Sequence, residues 1–85
     1  LIEYYNGSLI LAIASYNAGP TNVNKWIKLY GDPRDEAINV INWIELIPFT
    51  ETRNYVQRVI ENYIVYQQVF IDTAIKNKVN IKELF

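Results

Sequence analysis

The apolar positions of this 85-residue chain recur with the period of helices and not of strands. In the run LILAIA, Leu9, Ile10, Leu11 and Ile13 point to every side of a 3.6-residue wheel. Residues 8–18 are therefore predicted to form a helix buried all round, with Asn6-Gly7 as the entering turn and Ser8 as the N-cap. A second helix is predicted over residues 21–30. It follows Pro20, stops before Gly31-Asp32-Pro33, and repeats Val23, Trp26, Ile27 and Tyr30 at three-and-four spacing, so it packs one face. A polar loop over residues 31–39 leads to a short apolar stretch, residues 40–47, which Pro48 closes. A longer helix is predicted from Thr50 to about residue 75, with Val56, Val59, Ile60, Tyr63, Gln67, Phe70 and Ala74 along its inner stripe. The Ile and Val content sits in helical period, so the expected fold is all-α. The closing stretch NKVNIKELF has only a weak amphipathic pattern and reads as a tail.

Composition narrows the chemistry. A chain of this length forms one small domain and buries about 60% of its unfolded surface, a marginal amount. It holds no cysteine and no histidine, which removes the usual zinc ligands, the thiol nucleophile and the imidazole base. No metal site and no cofactor are expected, and any activity rests on carboxylates, tyrosines and amides. Eight basic and nine acidic residues, spread along the chain, leave no electrostatic footprint for nucleic acid and no polybasic membrane patch. No apolar run approaches the roughly 20 residues that span a bilayer. The chain lacks methionine and begins at Leu1, so it reads as an excerpt of a longer protein whose compartment this stretch does not reveal.

Two clusters stand out at the helix ends. The first is SYNAGP, where the buried helix closes on Tyr16 and Asn17 before Gly19-Pro20 stops it. A tyrosine there offers an apolar ring with a hydroxyl at its tip, and Asn17 adds two donors and an acceptor. The plainer alternative makes Tyr16 a core aromatic and Asn17 a cap ahead of a left-handed glycine. The second is IPFTETRNYV. If Thr50 caps the long helix, Glu51 lies in its first turn, where the helix dipole favours negative charge, and Tyr55 follows one turn later on the same face. The plainer alternative is a well-made helix start, with Arg53 and Arg58 as solvated charges. Trp26, Trp43 and Phe49 are expected to pack in the core or the wall of a cleft.

SYNAGP, then an amphipathic helix with Trp26, then WIELIPFTETRNYVQRVIENYIVYQ, resembles in order and context the C-terminal half of the catalytic domain of the soluble lytic transglycosylases. The resemblance runs over roughly residues 2–70. It implies a partial lysozyme-like (goose-type) helical domain over residues 1–76, followed by a tail over 77–85. It also implies a peptidoglycan glycan strand as partner, a place in the periplasm or cell envelope, and cleavage between N-acetylmuramic acid and N-acetylglucosamine with formation of a 1,6-anhydro product. Carried over residue by residue, Tyr16, Asn17, Glu51 and Tyr55 are the expected substrate-binding side chains. Ser15 and Thr21 depart mildly from the family pattern, which favours alanine and glycine there. The larger departure is the general acid, a glutamate in a Glu-Ser-x-(Phe/Tyr) context followed by Gly-Leu-Met-Gln, of which neither part occurs here. Glu3 has other neighbours and lies too near the tyrosine motif to replace it. The chain is thus expected to carry part of the cleft without the acid, to depend on an N-terminal half, and to be inactive alone. A non-catalytic glycan-binding remnant and a helical interaction domain are the alternatives.

Overall fold

The computed structural model describes residues 3–77, and among them every regular element is a helix. This agrees with the all-α, lysozyme-like class expected. In chain order the elements are α1 (Leu9–Ala18), α2 (Pro20–Tyr30), α3 (Val40–Glu45) and α4 (Thr50–Lys76). The tail expected over residues 77–85 lies outside the described residues from position 78 on.

α1 begins as read. Ser8 is extended, and its Oγ accepts the Leu11 N–H at 3.4 Å, satisfying one of the free donors of the first turn. Its burial is not uniform, however. Leu11, Ala12, Ala14 and Ser15 are buried, whereas Leu9, Ile10 and Ile13 are half-buried, because α2 and α4 cover the helix from two sides only. α2 starts one residue early, with Pro20 itself in the first turn, where its missing N–H costs no hydrogen bond. α3 is a single short turn and a half. Asn39 caps it by accepting the Asn42 N–H at 3.0 Å, and Trp43 and Ile44 face inward.

The core gathers Tyr5, Leu11, Ala14, Val23, Trp26, Trp43, Ile44, Ile47 and Val56. Trp43 keeps its indole N–H satisfied by donating to the Gly31 carbonyl at 2.8 Å, which ties α3 to the end of α2. The backbone angle and the packing of Ile38 explain the glycine. Gly31 has φ 91°, and a Cβ there would meet Ile38 Cδ1 at 2.6 Å. In the loop between α2 and α3, Arg34 pairs with Asp32 at 2.7 Å on the surface, and the guanidinium holds the Asp32 carboxyl below its ordinary range.

α4 departs most from expectation. Its first turns pack against α1 and α3, and Val56 is fully buried. Beyond Ile60 the aromatic members of the predicted inner stripe come to the surface, Tyr63 47% and Phe70 37% exposed, while Gln67 is half-buried and Ala74 is buried. At about 1.5 Å per residue α4 is roughly 40 Å long, more than three short helices cover. The molecule is accordingly elongated, at 46 × 23 × 23 Å. No described helix is long and apolar enough to cross a membrane.

Candidate functional site

The end of α1 and the start of α4 meet, and the sequence explains why each end is open. The Gly19 N–H returns to the Ser15 carbonyl at 2.8 Å, and Gly19 then takes φ 89° and ψ 150°. This is not the left-handed helical conformation expected of it but an extended region with positive φ that only glycine occupies readily. The chain therefore turns a corner in one residue, and Gly19 is at once the C-cap of one helix and the N-cap of the next. Asn22 Nδ2 donates to the Ala18 carbonyl at 2.8 Å and closes the end of α1 from outside. The side chains of Tyr16 and Asn17 take no part in this closure.

Tyr16 is 78% exposed, which overturns the alternative reading of it as a core aromatic. It lies in the last turn of α1. Nor does Asn17 cap its helix. Its Oδ1 accepts a hydrogen bond of 2.6 Å from Thr52 Oγ1, across 35 residues of sequence. Thr52 is 1% exposed and lies in the first turn of α4.

The start of α4 also differs from the reading of Thr50 as its cap. Phe49 occupies the cap position with extended backbone and no side-chain hydrogen bond, and Thr50 is the first helical residue. The entry is held by packing instead, as the Phe49 ring stands edge-on to Trp26 with centroids 5.2 Å apart. Arg53, expected as a solvated charge, is half-buried and donates from Nη1 to the Ile47 carbonyl at 3.2 Å. Arg58 is exposed as expected. With no side-chain cap, the first-turn amides of α4 leave their positive end to Glu51, the one acidic residue of that turn. Glu51 is exposed and Tyr55 half-buried.

Of the predicted residues, then, Asn17 is joined to α4 through Thr52, with Tyr16 and Glu51 their immediate neighbours in sequence. No hydrogen bond or ion pair links Tyr16, Glu51 and Tyr55 to one another among the described residues. The sequence reading missed Thr52. Its signal was present, for Thr52 lies one turn before Val56 and two before Ile60, on the inner stripe.

An open groove of about 340 Å³ lies elsewhere, between α3 and α4, lined by Ile41, Ile44, Gln57, Ile60, Glu61 and Ile64. It contains none of the predicted site residues and offers a single carboxyl among apolar walls, so the helix junction is the better place for chemistry. Among the described residues no acidic cluster suited to a metal ion occurs.

Residues 1–39 match the family described as Transglycosylase SLT domain. Over 69 residues, 81% of its length, the chain is 36% identical to the soluble lytic murein transglycosylase of Salmonella typhimurium. The protein of the same description from Escherichia coli is 35% identical over 69 residues, again 81% of this chain. No solved structure matches significantly. Residues 1–39 thus carry a stretch of transglycosylase SLT domain, within a region similar to soluble lytic murein transglycosylases. It spans about a tenth of the length of the curated relatives it matches, 10% in each case.

Proposed function

We propose that this chain forms the C-terminal half, residues 1–76, of the catalytic domain of a peptidoglycan lytic transglycosylase of the periplasm or cell envelope. The junction of α1 and α4 supplies one wall of its glycan cleft. The observation that carries this reading is Tyr16, an aromatic side chain 78% exposed at the end of a core helix and tied through Asn17 and Thr52 to the turn that bears Glu51. An exposed ring, a carboxylate and an amide at one helix junction supply what a sugar requires, since its apolar face stacks and its hydroxyls need acceptors and donors.

The chemistry is one of proton transfer. A glutamate outside these 85 residues protonates the oxygen linking N-acetylmuramic acid to N-acetylglucosamine, and the carboxylate so formed takes the proton of the muramic 6-hydroxyl. That hydroxyl closes on its own anomeric carbon, so the products are a 1,6-anhydro sugar and a free 4-hydroxyl, without water. Cleavage builds positive charge at the anomeric carbon, and a fixed negative charge near it stabilises the transition state more than the ground state. Glu51 supplies that charge from the first turn of α4. The Tyr16 hydroxyl, Asn17 and Tyr55 hold the distorted sugar.

The test uses peptidoglycan and mass spectrometry. The chain by itself lacks a positioned acid, a contribution worth on the order of a hundred- to ten-thousand-fold in rate, and should release no anhydromuropeptides. Preceded by the glutamate-bearing half of the domain from the Escherichia coli relative, it should release them. Release by the chain alone would show the acid to lie within it. Binding without release in the completed domain would make it a glycan-binding remnant.

A further inference from the structure

Past Ile60, α4 carries an apolar face that stays open. At about 100° per residue, Tyr63, Tyr66 and Phe70 fall on the side of α4 that buries Thr52 and Val56 nearer its start, and Tyr66 is 65% exposed. Ile64 borders them and also lines the groove between α3 and α4, so the rings and the groove form one surface. Asp72 and Lys76 fall on the opposite side, which leaves Glu61, in the wall of the groove, as the one charge on this surface among the described residues of the far half. The rings are also held in place. Gln67 Nε2 donates to the Tyr63 hydroxyl at 2.9 Å, and the Tyr66 and Phe70 rings lie with centroids 5.3 Å apart. An ordered, aromatic surface poor in charge has the composition of an interface centre and not of a solvated face.

From this we infer that the surface is the seat of the acid-bearing half of the domain, which lays an apolar helix along the far turns of α4. The inference rests on the proposed place of this chain in a transglycosylase domain. Size decides between the occupants. At about 150 to 250 Å² per aromatic ring, the open parts of Tyr63, Ile64, Tyr66 and Phe70 amount to roughly 400 Å², half of the ~800 Å² that each partner of a stable complex buries. A second copy of the chain would have to overcome the entropy of association from that area alone, and is the poorer fit. A segment of the same polypeptide does not meet that cost, and the curated relatives, of whose length this chain spans 10%, hold ample further chain. The distance also suits. Tyr66 lies about 22 Å along α4 from Glu51, and a half-domain as wide as this chain, 23 Å across its short axes, spans that gap. α4 thus carries Glu51 in its first turn and the supplier of the acid on its far turns, so one rigid helix sets the spacing between the two carboxyl groups.

The experiment uses the chain alone and the completed domain, in which the glutamate-bearing half of the Escherichia coli relative precedes it. Hydroxyl-radical footprinting read by mass spectrometry should label Tyr63, Tyr66 and Phe70 strongly in the chain and several-fold less in the completed domain. Val65 and Val69, on the other side of α4, should label alike in both. A double variant, Tyr66→Gln with Phe70→Gln, keeps helix propensity. It should hold the Tm of the chain alone to within about 4 °C, the worth of one ring pair on a helix, and lower that of the completed domain by about 10 °C. Val65→Gln with Val69→Gln should be silent in both. Equal labelling of the rings in the two proteins, or a Tyr66–Phe70 double variant silent in the completed domain, overturns the inference. So does a chain that sediments as a dimer and turns monomeric in that variant, since a second copy then holds the face. An equal loss of Tm in the chain alone also overturns it, because the chain's own residues then cover the rings. If the completed domain protects the rings yet releases no anhydromuropeptides, the transglycosylase reading fails and the seat on α4 stands.

Discussion

The two halves of α4 carry the same kind of sequence and meet different fates. From Thr50 to Ile60 the helix places Thr52 and Val56 in the core, and its first turn engages α1. From Glu61 onward the apolar side chains continue at helical spacing, yet Tyr63, Ile64, Tyr66 and Phe70 are exposed, and Ala74 is the one described residue of that half that is buried. Periodicity marks the face a helix would bury. It carries no information on whether a neighbour is there to bury it, because that depends on the reach of other elements. Here α1 and α3 pack on a helix of 27 residues whose buried side chains, Ala74 apart, lie in its first turns. The packed half holds the candidate site, as only there are side chains fixed closely enough to aim a carboxylate and an amide.

The sharpest way to break this contrast is to remove one charge from each half. In the completed domain, Glu51→Gln keeps the shape and loses the charge, and should cost about 2.7 to 4 kcal/mol of transition-state stabilisation, seen as a loss of anhydromuropeptide release of roughly a hundred- to a thousandfold. Glu61→Gln should turn over like the parent. Thermal unfolding should barely change in either, and if Glu51→Gln fails only because it unfolds, Glu51 is no more than a helix-start residue.

A second comparison concerns stability. Val56→Ala removes methyl groups from a fully buried site and should cost about 2 kcal/mol, lowering Tm by roughly 8 to 16 °C. Val69→Ala makes the same change on the exposed half and should stay within about 0.5 kcal/mol. Equal losses would mean that the second half is covered in solution as the first is.

The smallest effect expected is a gain. Ser15, on the core side of α1, is 3% exposed and its hydroxyl has no partner among the described residues. Ser15→Ala removes a buried unsatisfied group and should raise stability by about 1 kcal/mol in denaturant unfolding. A loss of similar size would show that the hydroxyl has a bound water or helix carbonyl as partner.

Much of this was legible along the chain, and the rest failed for identifiable reasons. The corner at Gly19-Pro20 and the placing of the helices follow from local chemistry, in which caps, breakers and period act over a few residues. Thr50 reads as a cap because threonine caps helices well. The chain instead enters α4 through Phe49, whose contact with Trp26 lies far along the sequence. Thr52 looked like one polar residue in a polar run, and its role exists only because Asn17 arrives from 35 residues away. Arg53 reads as a surface charge on the same grounds, although its guanidinium donates to the Ile47 carbonyl just past the end of α3. In each case the deciding partner is tertiary, and composition and spacing say nothing of tertiary partners.

The central claim is that the chain meets glycan at the junction of α1 and α4. It is tested most directly by titrating the isotopically labelled protein with an N-acetylglucosamine tetramer and mapping the NMR shift changes onto the fold. The account predicts that the changes concentrate at Tyr16, Asn17, Glu51, Thr52 and Tyr55 and saturate together. Changes centred instead on Ile41, Ile44 and Ile64 in the α3–α4 groove, or along the exposed half of α4, would contradict it.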